Sequence, residues 1–200
     1  RILYLQEGIA DRIITMLDGA AKELIMGDPM YLSTDVGPVI DEAALKTLKE
    51  HAAKLETSGA KCVARAPMDD ELADKGYFFA PRAYELPDTG ALEREVFGPI
   101  VHVVRFKTQD LDKVMADINS KGYGLTLGIH SRIDHTVDTI LSKARVGNCY
   151  VNRSMIGAVV GVQPFGGMGL SGTGPKAGGP HYLPRFATEK TVTVNTTASG

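Results

Sequence analysis

Between Glu7 and Met26, apolar residues fall at Ile9, Ile13, Leu17, Ala20 and Leu24. Steps of three and four place them on one face of a helix, and Gly27-Asp28-Pro29 supplies the stop. A second face, Leu45, Leu48, Ala52 and Leu55, follows Asp41, whose carboxylate can cap a helix start, and Gly59 ends it. Short apolar runs then predict strands at Lys61–Arg65 and at Tyr77-Phe78-Phe79, ahead of Pro81. The run "PIVHVVRF", Pro99 to Phe106, reads as a buried strand. Residues 110–120 read as a helix through Leu111, Val114, Met115 and Ile118. A strand over 125–130, a helix over 133–144 and a strand over 147–152 complete the pattern. Strands alternating with helices of this length predict an α/β fold with an open, mostly parallel twisted sheet flanked by helices.

The alternation stops after Asn152. A long loop follows, with nine glycines between Gly157 and Gly179. A last strand, from Lys190 to Asn195, alternates polar and apolar residues, with Val192 and Val194 on one face. The tail from Thr196 to Gly200 is expected to fray. No internal repeat is visible. The opening Arg1-Ile2-Leu3-Tyr4-Leu5 reads as the inside of an element and has no signal-peptide anatomy, so a piece of a longer protein is expected.

Composition narrows the classes. With 200 residues and 44% hydrophobic content, the chain can bury a core of its own. A net charge of −2, spread evenly, supplies no basic face for nucleic acid. The two cysteines, Cys62 and Cys149, form no CxxC pair, and a reduced, cytoplasmic setting is expected. No run approaches the roughly 18 apolar residues of a membrane span. The histidines show no HxxxH or other ligand spacing, and no metal site is assigned.

Three motifs invite chemistry. Residues 167–172, Gly-Met-Gly-Leu-Ser-Gly, match GxGxxG, but Gln163-Pro164 interrupts the approaching strand and later glycines and prolines prevent the helix that should follow. Glu189 is only loosely placed for a ribose contact, so a structured loop is the better reading. Glu95-Val96-Phe97-Gly98-Pro99 sits just before a strand, where a loop carboxylate could accept hydrogen bonds from a sugar. On spacing alone, a solvated Glu beside a Gly-Pro turn is the preferred alternative. Neither cysteine follows a helix N-terminus or a basic cluster that would favour its thiolate, so both read as small buried hydrophobes.

Taken together, "EVFGPIV", "YGLTLGIHS" and "GNCYVNRSMIGAVVGVQPFGGMGLSGTGPKAGGPHYLPRF" resemble, in order and separation, the C-terminal half of an aldehyde dehydrogenase. The narrower "GAVVGVQPFGG" followed by "GPKAGGPHYL" resembles L-glutamate γ-semialdehyde (1-pyrroline-5-carboxylate) dehydrogenases, in the form of that domain in bacterial bifunctional proline utilisation A proteins. The resemblance implies that a cysteine attacks the aldehyde, that hydride passes to NAD⁺, and that a Glu-activated water releases glutamate from the thioester. It places the nucleophile a few residues before Arg1, with the general base and a Rossmann-like NAD-binding half further upstream. Neither Cys62 nor Cys149 inherits the nucleophile's role, and no catalytic residue is assigned within the chain. FAD is expected only where a proline dehydrogenase domain is attached.

By match to the family's motifs, Glu95 is the nicotinamide-ribose ligand and Phe97 the aromatic beside the nicotinamide. Phe165 lines the aldehyde tunnel. Gly157 and Ala158 would present backbone N–H groups to the substrate's α-carboxylate, in a turn that glycine permits. A hydrogen bond to a charged group is worth about 1.5–3 kcal/mol, enough for two or three to separate this substrate from a plain aldehyde. Some family members carry Ser where Ala158 stands. The strand from Lys190 to Asn195 resembles the tail of the arm that pairs two subunits, so residues 1–188 are read as the catalytic-domain fragment, inactive alone, and 189–200 as an oligomerisation strand and tail. The alternatives are another aldehyde dehydrogenase taking a different carboxylated aldehyde, and a non-catalytic oligomerisation module.

Overall fold

A computed structural model of the chain describes residues 1–198. The chain forms two compact units, Arg1–Val114 and Met115–Gly200.

The first unit is built on a four-stranded sheet in the order β1 (Ile2–Gln6), β4 (Ile100–Phe106), β3 (Arg82–Leu86), β2 (Lys61–Arg65). The pairs β1–β4 and β3–β4 are parallel, and only the edge strand β2 runs antiparallel. The central strand β4 is the β-branched run IVHVVRF, apolar on both faces as a strand covered on both sides must be. Its alternation assigns each face a helix. Ile100 and Val104 pack with Tyr84 and Leu86 of β3 against Leu48, Ala52 and Leu55 of α2 (Glu42–Thr57). Val103 packs with Leu5 and Ala83 against Ala10 and Ala21 of α1 (Glu7–Lys22), with Ile13 and Leu17 beside them. The result is a helix–sheet–helix sandwich. On the α1 face Arg105 reaches Asp11 at 2.7 Å and Glu85 at 2.5 Å.

Asp41 caps α2 as expected, accepting the Ala44 N–H at 2.7 Å. Three expectations are corrected. The stripe of α1 that faces the sheet is Ala10, Ile13, Ile14, Leu17 and Ala21, while Ile9 is half exposed. Small alanines let the helix approach closely, a gain that spacing by side-chain size misses. The helix also stops at Lys22, because Ile25 turns its N–H to the Asp35 carboxylate and its C=O to the amides of Asp35 and Val36. Tyr77-Phe78-Phe79 is not a strand: Phe78 and Phe79 bury their rings in an irregular segment, and the strand begins after Pro81, whose ring nitrogen has no hydrogen to donate.

α3 (Leu111–Ser120) begins in the first unit and ends in the second. β6 (Thr126–Ile129) pairs in parallel with β7 (Asn148–Val151), joined by α4 (Asp134–Lys143) in a βαβ unit. β5 (Tyr123–Gly124) pairs antiparallel with β8 (Met168–Gly169). Side-chain amides tie the ends of these elements. Asn119 accepts the Arg145 N–H and donates to the Lys143 carbonyl, both at 2.9 Å. Asn152, left-handed at φ 54°, clamps Ser131 in the same way. The GxGxxG stretch forms β8 and a turn. Residues 190–195 form no strand, a further correction: Val192 and Val194 are exposed, and a strand needs a partner's backbone groups to close its ladder. Residues 196–198 close a short 3₁₀ turn, and the rest of the expected frayed tail, 199–200, lies outside the described residues. No helix among the described residues is long and apolar enough to cross a membrane.

Candidate functional site

In the first unit, the segment before β4 is anchored by Val96, buried in the α2-side core. Burial alternates along the segment, so Glu95 and Phe97, on either side of Val96, both turn away from that core. Both are exposed, Phe97 by 75%, which leaves ring surface available for a ligand. The Arg1 guanidinium covers part of that ring, 4.3 Å from its centroid, and its Nε lies 3.8 Å from a Glu95 carboxylate oxygen. Sequence reading missed this third member, because Arg1 is 94 residues from Glu95 and carries no local motif. Gly98 sets the height of the segment. At φ 152°, any Cβ there would sit 2.6 Å from Leu48 Cδ1, inside the core.

In the second unit, the glycine-rich loop leaves β7 at the left-handed Asn152. Gly157 is also left-handed, at φ 70°, and a Cβ there would meet nothing within 4 Å. The neighbouring amides are engaged: Ile156 N–H donates to Ser154 Oγ at 3.3 Å and Val159 N–H to Gln163 Oε1 at 3.0 Å. The N–H groups of Gly157 and Ala158 meet no acceptor among the described residues. Val160 is almost fully exposed, so it does not pack the loop against its own unit.

Phe165, half-buried, sits in a single antiparallel bridge. Its N–H donates to the Ala177 carbonyl at 3.1 Å and its C=O accepts from the Ala177 N–H at 2.9 Å. On the opposite edge, the Asn148 side chain donates to the Pro164 carbonyl at 3.0 Å and accepts the Gly166 N–H at 3.2 Å. Beside it, Gly147 approaches so closely that a Cβ would overlap the Gly166 carbonyl oxygen, while Lys176 Nζ donates to the Gly147 carbonyl. Burial raises the pKa of the Cys149 thiol, against the pull of the Lys176 charge. A thiol held protonated is a poor nucleophile. Cys62, expected to be buried, is instead exposed, because it lies on the edge strand β2, which has a neighbour on one side only. Among the described residues, no group of three or more His, Cys, Asp or Glu side chains could hold a metal ion.

The structure therefore groups Glu95 and Phe97 with Arg1 in one unit, and carries Gly157, Ala158 and Phe165 on one loop of the other. Comparison with known proteins bears on both halves. Residues 1–192 match the aldehyde dehydrogenase family. The bifunctional protein PutA of Klebsiella aerogenes is 50% identical over 193 residues, which is 95% of this chain and 15% of that protein. The 1-pyrroline-5-carboxylate dehydrogenase of Geobacillus sp. (strain WCH70) is 36% identical over 93% of this chain and 35% of its own length. A crystal structure of a mutant proline utilization A from Bradyrhizobium japonicum superposes with a TM-score of 0.93 at 56% identity, over 100% of this chain and 20% of that one. The chain thus spans between a seventh and about a third of these relatives' lengths.

Proposed function

The chain belongs to the aldehyde dehydrogenase family, and from that premise we propose that it is the C-terminal catalytic-domain part of an NAD-dependent L-glutamate γ-semialdehyde dehydrogenase, which oxidises the semialdehyde to L-glutamate in proline breakdown. The similarity to PutA and to 1-pyrroline-5-carboxylate dehydrogenase supports this substrate.

The residues present fit the cofactor. An exposed carboxylate can accept two ribose hydroxyls, and an exposed ring offers an apolar face to a nicotinamide. NAD, when bound, accepts the hydride. In this reading Glu95 orients the ribose and Phe97 packs beside the ring. Arg1 must release Glu95 as the ribose arrives, a small cost for an exposed pair 3.8 Å apart.

The observation that carries the substrate is the pair of unengaged amides at Gly157 and Ala158. Backbone N–H groups without an acceptor suit a carboxylate, and Gly157 brings no side chain of its own beside them. Phe165 then lines the approach of the aldehyde. The nucleophilic cysteine and general-base glutamate are proposed to precede Arg1, so the 200 residues alone turn over no aldehyde. Residues 1–188 are proposed as the catalytic part and 189–200 as an arm that pairs two subunits in the cytoplasm, where a partner strand would complete the ladder that residues 190–195 lack.

The test follows NADH formation by the full-length protein with L-glutamate γ-semialdehyde and with an aldehyde of equal length lacking the α-carboxylate. A strong preference for the first is expected. Equal rates would remove the glutamate-semialdehyde assignment while leaving an aldehyde dehydrogenase, and no NADH with either would favour a non-catalytic module.

A further inference from the structure

We infer that Asn148 is a positioning residue for Phe165, holding the aldehyde-facing aromatic by standing in for a β-strand with its side chain. The inference rests on the functional reading above, which gives Phe165 its place beside the substrate.

The geometry is a matter of edges. In an extended segment, the N–H and C=O of one residue point to one side, and the preceding C=O and following N–H point to the other. Pro164 C=O, Phe165 N–H, Phe165 C=O and Gly166 N–H are four consecutive backbone groups, and two residues satisfy all of them. Ala177 takes the Phe165 pair with its own backbone at 3.1 and 2.9 Å. Asn148 takes the Pro164 and Gly166 groups with its carboxamide at 3.0 and 3.2 Å. A carboxamide carries one acceptor and two donor hydrogens on a rigid plane, so it reproduces the donor–acceptor pattern of a peptide.

With both edges closed, the Phe165 side chain can leave the segment only perpendicular to the hydrogen-bonding plane. Its direction is thereby referred to β7, since the Asn148 backbone N–H donates to Leu125 O at 3.0 Å and Asn148 pairs with Thr126 in the β6–β7 ladder. The close approach of Gly147 to Gly166 brings the carboxamide within reach, because any side chain at 147 would push the segment away. Chemistry also excludes simple substitutes. Ala offers neither group, and Asp keeps the acceptor for Gly166 N–H but turns an anionic oxygen toward the Pro164 carbonyl.

The test is a double-mutant cycle in the full-length enzyme, using Asn148→Ala and Phe165→Ala, with Asn148→Asp as an isosteric second variant. Asn119→Ala, which removes an equivalent amide clamp at the end of α4, is the structural control. Wild-type enzyme must first form NADH from the semialdehyde; if it does not, the functional reading fails before this one is reached. Given that activity, Asn148→Ala and Asn148→Asp should each raise KM for the aldehyde by about five- to tenfold, the factor one or two neutral hydrogen bonds are worth, and leave KM for NAD within about twofold. In the Phe165→Ala background the Asn148 effect should disappear. Asn119→Ala should lower Tm without changing KM. An unchanged aldehyde KM in both Asn148 variants, or an Asn148 effect that adds fully to Phe165→Ala, would overturn the inference.

Discussion

His51 on α2 and His102 on β4 meet through their Nε2 atoms at 2.8 Å, with the rings 77° apart and 5.1 Å between centroids. The other nitrogen of His102, Nδ1, lies 3.0 Å from the Arg1 carbonyl oxygen. A carbonyl only accepts, so Nδ1 of His102 carries its hydrogen and Nε2 must accept from His51. The chain of donors runs from α2 through β4 to the first residue of the Glu95 group. Burial of His102 lowers its pKa to about 4, with the Arg1 carbonyl opposing and the His51 ring adding to the shift. His51 is lowered too, by burial first and the nearby Lys54 charge second.

Acid should therefore loosen this core. Both folded-state pKa values lie below the unfolded value of 6.5, so the unfolded chain takes up protons first as pH falls. Stability is full above about pH 6.5 and declines toward pH 4, by on the order of 2 kcal/mol for His102. Denaturation of the full-length protein from pH 8 to pH 4.5 measures the slope. His102→Leu should flatten it, and an equal slope in that variant would assign the acid sensitivity elsewhere.

Gly98→Ala should cost about 1–3 kcal/mol through overpacking. The new methyl would lie 2.6 and 2.7 Å from the two Leu48 methyls, and Leu48 is fully buried. Because Gly98 adjoins Phe97, the variant should also weaken NAD binding. Thermal melting and NAD titration read the two effects separately.

Glu95→Gln should leave Tm within about 1 °C, since an exposed ion pair at 3.8 Å contributes little. KM for NAD should rise about tenfold, reflecting loss of charge-assisted hydrogen bonds to the ribose. A normal KM for NAD would place the ribose elsewhere.

Gly157→Ala meets no neighbouring atom but must hold φ near 70°, a strain of about 1 kcal/mol for a side chain. The expected result is a folded enzyme with a severalfold higher KM for the semialdehyde and an unchanged KM for the aldehyde lacking the carboxylate. Parallel increases for both substrates would show that the loop does not read the carboxylate.

Deleting residues 189–200 from the full-length protein should lower its mass by light scattering and spare the melting transition, because 190–195 contribute to no ladder among the described residues. An unchanged mass would locate the subunit contact in another element.

Much of the frame was legible in the residue pattern. The capped start of α2 at Asp41, the buried run of β4, and the alternation of β6, α4 and β7 all follow from spacing within one element. Spacing alone did not single out Glu95 and Phe97, which were read through the resemblance; the structure leaves both exposed on either side of the buried Val96. β3 was not legible: Arg82 and Glu85 interrupt its apolar pattern, and it is a strand because β4 and β2 lie on either side of it.

What the sequence determined by itself was periodicity, caps and motif, all properties of bonds and side chains a few residues apart. Partners distant along the chain were decided by the tertiary structure. His51 meets His102 because β4 turns that residue toward α2, and Asn148 grips the backbone on both sides of Phe165 because Gly147 has no Cβ to hold the segments apart. Hydrogen bonds between such partners depend on where packing brings two surfaces together, to within a few tenths of an ångström, and no local spacing encodes that distance.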